Sequence, residues 1–219
     1  MIRTTFALLL ALGAASPALA DDGDIDKVNG GIQVADGGTA GKLTTVNGGI
    51  HVGANAHARS AETVNGGVDI GAGSSVDSVE TVNGGVKLGS KTTVAKTAET
   101  VNGSITLDNG ADVAGKLTNV NGGIKLDAAH VGGGISTVNG DITVGANSRV
   151  EGGIFVDENH SLFNWGTSHK PRIVIGAHAV VQGKLTFKRE VDLYVSDSAT
   201  IGAVEGASAQ KFSGDQPPK

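Results

Sequence analysis

Residues 45–50 read Thr-Val-Asn-Gly-Gly-Ile, and the heart of this phrase returns along the chain. Val-Asn-Gly begins at Val28, Val46, Val64, Val82, Val101, Val120 and Val138, in steps of 18, 18, 18, 19, 19 and 18 residues. A near-constant period of this length marks a solenoid, in which each repeat is one coil that stacks on the last.

A shorter period lies inside the long one. Steps of six from Val28 land on Val34, Ala40, Val46, Val52, Ala58, Val64, Ile70, Val76, Val82, Leu88 and Val94, all aliphatic. Steps of seven from Val94 to Val101 and from Val113 to Val120 absorb the longer repeats, and the walk falters at Gly132 before continuing through Val138, Val144, Val150 and Val156. Six residues suit one short strand and one corner, so 18 make a triangular turn. The unit Ile50-His51-Val52 recurs as Ile32–Val34, Val68–Ile70, Val86–Leu88, Ile105–Leu107, Ile124–Leu126 and Ile142–Val144. Strand alternation sends its outer pair inward and its polar middle residue to solvent. A helix is excluded by the density of glycine, at about 1 kcal/mol per interior position, and by the two- and six-residue spacing.

The expected fold is therefore all-β: a single three-sided β-solenoid with coils of roughly 18 residues, covering about residues 24–205. In this reading the valine of Val-Asn-Gly fills the core, and Asn-Gly turns the corner with left-handed backbone angles. Stacking places Asn29, Asn47, Asn65, Asn83, Asn102, Asn121 and Asn139 in one column, where they can form a hydrogen-bonded ladder. About five aliphatic side chains per coil and about ten coils give a rod roughly 45–50 Å long.

The ends and one interruption divide the chain. Residues 1–20, MIRTTFALLLALGAASPALA, carry one basic residue (Arg3), an apolar run and a closing Ala-Leu-Ala. This is the pattern of a secretory signal peptide cut after Ala20, so a periplasmic or secreted protein without a later membrane span is expected. The solenoid then runs over 21–156, a loop insertion over 157–172, further coils over 173–205 and a disordered polar tail over 206–219. The charges of residues 21–27, DDGDIDK, suit protection of an exposed sheet edge.

Composition excludes several chemistries. There is no cysteine, hence no disulfide, thiolate metal site or cysteine nucleophile. Net charge is −5, and −6 once Arg3 leaves with the leader, which gives no support to nucleic-acid binding. The six histidines form no metal-ligand pair of the HExxH kind, and no phosphate loop, dinucleotide fingerprint or nucleophile elbow is present. No enzyme activity, metal or cofactor is expected. Glu62, Glu80 and Glu99 share one column, which reads as a solvated acidic face. Thr45, Thr63, Thr81, Thr100 and Thr137 form a second column, the feature a flat ice-binding face would need.

The loop insertion, DENHSLFNWGTSHKPR, holds the only tryptophan. Phe163, Trp165, His160 and His169 are the candidate contacts for a glycan or protein partner, with Asp157 and Glu158 as nearby acids. A lid packed on the rod is the competing role for the two aromatic residues.

Three resemblances bear on function. Ile70–Ser74 and Val144–Ser148 resemble the hexapeptide repeats of left-handed β-helix acyltransferases, but no residue matches their catalytic histidine. The stretch 172–206, with IVIGAHAVVQGKL, is similar to bactofilins, β-helical proteins that polymerise; it departs from them in its export leader. The VNGxI phrase resembles the β-rich adhesin-like domains of bacterial envelope proteins. These resemblances imply a non-catalytic structural or adhesin-like envelope rod that can associate end to end. A carbohydrate-binding or carbohydrate-active β-helix using the Trp165 loop is the alternative. The bactofilin likeness and the general crossover preference favour a right-handed coil, while the hexapeptide step suits a left-handed one.

Overall fold

The computed structural model describes residues 23–158, 170–214 and 217. Among these there is no helix; strands pair in parallel and stack into a β-solenoid of about ten turns. The first face is a ladder of ten strands, from Ile32–Val34 through Ile50–Val52, Val68–Ile70 and onward to Arg172–Ile175, Asp192–Ser196 and Ala209–Phe212. Pairing is in register, so Ile32 lies on Ile50 and Val34 on Val52.

The other two faces begin as one. Thr39–Asn47, His57–Asn65 and Ser75–Asn83 each run across both. From the next coil they separate, as Thr93–Val94 and Ala98–Asn102. The cause is one added corner residue: Val76 and Val79 are three positions apart, whereas their ladder partners Val94 and Ala98 are four apart. The 19-residue step in the sequence is this insertion.

The core is a column of aliphatic side chains inside the stack. Leu43, Ile70, Leu88, Leu107, Leu117, Leu126, Ile142, Ile173 and Leu193 are fully buried. Close-packed aliphatics at about 25 cal/mol per Å² of buried surface supply most of the driving force without disulfides, and Phe187 joins them toward the C-terminal end.

Three expectations are corrected by the structure, and one irregularity of the sequence is explained. The valine of Val-Asn-Gly does not fill the core: Val46, Val64 and Val82 are partly exposed, and Val28 at the first coil is 62% exposed. On this third face the inward pair is Leu43 and Thr45, so alternation turns Val46 outward. The six-residue walk fails here because the corners differ in length. Three positions separate the inward residues Ala40 and Leu43, but seven separate Leu43 from Ile50.

Secondly, the recurring left-handed corner is not the Asn-Gly of Val-Asn-Gly, where only Gly30 and Gly122 have positive φ. Positive φ recurs at the corner between the first and second faces, at Gly37, Asn55, Gly73, Lys91, Gly110, Ala128, Asn147 and His178. From the second coil onward the first glycine after the asparagine serves close stacking. A Cβ on Gly48, Gly66, Gly84 or Gly103 would lie 1.9–2.3 Å from the carbonyl oxygen of the glycine one coil below.

Thirdly, the gap at Gly132 is a change of corner length, since the inward residue is its fully buried neighbour Val131. Lastly, the tail does not begin at residue 206. Ala209–Phe212 adds a tenth strand to the first face by pairing with Leu193–Ser196, because backbone groups along that edge are there to be satisfied.

The insertion replaces a Val-Asn-Gly corner. Thr137 and Ile142 bracket the last such corner, and their ladder partners Val156 and Ile173 bracket the insertion. It therefore leaves the rod between its third and first faces.

Candidate binding face

Phe163, Trp165, His160 and His169 lie outside the described residues, as do residues 1–20, where a leader is expected. The root of the insertion is placed: the Glu158 amide donates to Asp157 Oδ1 at 2.9 Å, and Lys170 pairs with Asp192 at 2.7 Å. Beside this root, on the third face, Phe155 points outward in a groove of about 500 Å³ that Lys116 and Lys184 also line.

The predicted asparagine column is one continuous ladder. Asn47 Nδ2 donates to Asn29 Oδ1 at 3.1 Å, and the same contact repeats from Asn65 to Asn47, Asn83 to Asn65, Asn102 to Asn83, Asn121 to Asn102 and Asn139 to Asn121 at 2.8–3.0 Å. Its spacing is the strand spacing of the stack. Each side-chain oxygen between the ends accepts from the coil above, so the column serves the structure.

The threonine column is inside. Thr45, Thr81, Thr100 and Thr137 are at most 1% exposed and Thr63 is 5% exposed. Thr45, Thr63, Thr81 and Thr100 donate to the carbonyls of Gly30, Gly48, Gly66 and Gly84 in the preceding coil, at 2.8–3.1 Å. An ice-binding threonine surface is thereby removed.

The acidic column is outside and partly buried. Glu62, Glu80 and Glu99 stack directly, and Lys42 pairs with Glu62 at 2.9 Å. Burial, then the neighbouring Glu99 and Glu62 carboxylates, hold Glu80 above its ordinary value of 4.5. On the second face His130 sits between carboxylates, with Nδ1 2.5 Å from Asp112 and Nε2 3.5 Å from Glu151. Among the described residues no group of three or more such side chains is arranged to hold a metal ion.

A groove of about 780 Å³ runs along the first face over five coils. Its floor is the second glycine of each repeat, Gly31, Gly49, Gly67 and Gly85. One edge is the outward column Gln33, His51, Asp69, Lys87 and Thr106. His51 Nδ1 lies 3.3 Å from Asp69 Oδ2. A Cβ on Gly49, Gly67 or Gly85 would meet the next carbonyl oxygen at 3.2 Å, a tight contact but not a collision. Ser104 and Asp141 stand further along the same column, which shows that side chains fit there. The missing side chains create the groove, and the stack does not demand their absence. Sequence reading gave Asn-Gly to the corner, left the second glycine unassigned and so missed the groove; the signal was the doubling, since one glycine is enough for close stacking.

No family model matches this chain, and neither a curated protein nor a solved structure shows significant similarity to it.

Proposed function

We propose that this chain is a non-catalytic, exported structural or adhesin-like protein of a cell envelope, a rigid rod that works through its first face. The observation that supports this most is the five-coil groove with a glycine floor beside a column of varied polar side chains. A long shallow surface of this kind suits an extended partner lying along the rod. The column includes one acid and one lysine among uncharged polar groups and His51, so it favours hydrogen bonding over attraction to one sign of charge. The leader of residues 1–20 supports export.

The test is co-sedimentation of the full chain with isolated envelope material, repeated with Gly49→Ser/Gly67→Ser. Serine fills the floor at positions equivalent to Ser104. Binding by the native chain and its loss in the filled variant are expected. Equal binding by both proteins would remove the groove from the reading.

A second reading rests on Phe155. An outward aromatic ring flanked by Lys116 and Lys184 at the root of the Trp165 insertion suits a carbohydrate platform. Under it, Phe155→Ala and Trp165→Ala abolish glycan binding while Gly49→Ser/Gly67→Ser leaves it intact.

A further inference from the structure

We infer that Lys27 and Lys211 close the two ends of the rod against a second copy of this chain. Both lysines occupy positions that belong to the interior. Lys27 is the ladder partner of Thr45, so it opens the inward column that continues through Thr45, Thr63 and Thr81. Its ammonium turns aside and donates to the Gly31 carbonyl at 2.7 Å. Lys211 is the ladder partner of Val195. It ends a column whose members Val34, Val52, Ile70, Leu88 and Val195 are at most 6% exposed, and it is itself exposed.

A parallel solenoid has an intrinsic tendency to grow, because each end offers unpaired strand edges in the register that the next coil would use. Head-to-tail addition of a second copy would set Lys211 of one rod on Val34 of the next. An ammonium buried against apolar side chains without a partner costs several kcal/mol. The same contact would place Asp26 in the outward column that ends at Glu205, stacking like charges. Inward-facing charge at a sheet edge is a known means of preventing such growth. Here it stands at both ends, on two different faces. This inference concerns the ends of the rod and is independent of what the first face binds.

The experiment is sedimentation velocity over a range of concentrations, with negative-stain electron microscopy, on the full chain and on Lys27→Thr/Lys211→Val. The native protein is expected as one short rod at every concentration. The variant is expected to associate about a hundredfold or more tightly and to form filaments one rod wide. Filaments of the native protein would overturn the inference. So would a variant that keeps its β-sheet circular dichroism and stays a single rod. Should that variant misfold, Lys27→Gln/Lys211→Gln removes the charges and keeps polar side chains at both positions. It must then show a smaller concentration-dependent rise in mass, and its absence would equally overturn the inference.

Discussion

Arg189 Nη1 donates to Asn139 Oδ1 at 2.5 Å and to the Val138 carbonyl at 3.1 Å. The two side chains are 50 residues apart in sequence. Asn139 is the last member of the asparagine ladder, and its oxygen has no further asparagine above it. The insertion occupies the next corner, and the arginine of the corner beyond reaches back to supply the donor. The amides of the ladder all point their donors toward the first coil, so their dipoles add and leave negative character at Asn139. A guanidinium is the complementary terminus.

The ladder predicts a position-dependent cost. Asn83→Ala removes two hydrogen bonds, to Asn65 and from Asn102, and is expected to cost about 1–2 kcal/mol. Asn29→Ala, at the open end, removes one and costs about half as much. Urea unfolding of the two variants checks the ratio.

Adjacent glycines are expected to behave differently. A Cβ on Gly84 would lie 2.0 Å from the Gly66 oxygen, while one on Gly85 would lie 3.2 Å from the Ser104 oxygen. Gly84→Ala must push two coils apart and should cost about 3 kcal/mol or more. Gly85→Ser should fold with a loss within about 1 kcal/mol. Thermal unfolding of the pair decides the matter.

Asn119 stands in the inward threonine column as the partner of Thr100. Its Nδ2 donates to the Gly122 carbonyl at 2.7 Å, but its buried Oδ1 has no partner. Asn119→Thr restores the residue type of the column and removes that orphaned acceptor. A gain of about 1 kcal/mol is expected, read as a higher denaturant midpoint at unchanged slope.

Glu80 sets a pH dependence. Its raised value, caused first by burial and then by Glu99 and Glu62, means that the folded chain holds this proton more tightly than the unfolded chain. Its contribution to stability is thus fully present below the ordinary value of 4.5 and is lost as pH rises through the raised one. Glu80→Gln should therefore stabilise the protein near neutral pH and change little in acid. Denaturant midpoints measured on either side of that range test this, and equal effects at both would contradict it.

Much of the architecture was legible because a solenoid writes its contacts into its period. The recurrence of Val-Asn-Gly gave the coil and the asparagine column, and the Ile-x-Val units gave the first face with the correct inward pair. These features depend on strand alternation and on equal spacing, which are local properties. The groove was missed although the doubled glycines marked it, because it consists of side chains that are absent. The charged run 21–27 was read as edge protection, but neither the inward place of its Lys27 nor Lys211 was singled out. Lys27 and Lys211 look like ordinary surface charges until ladder pairing aligns them with Thr45 and Val195.

By itself, then, the sequence determined that the chain stacks in coils of about 18 residues, and which aliphatic runs line two of the three sides. Only the tertiary structure decided the third side, where threonine faces in and valine faces out. Alternation fixes which residues share a side of a strand but not which side is the interior. That choice is made at the corners, whose length and backbone angles are set by how closely the coil below can approach, as at Gly48 and Gly30.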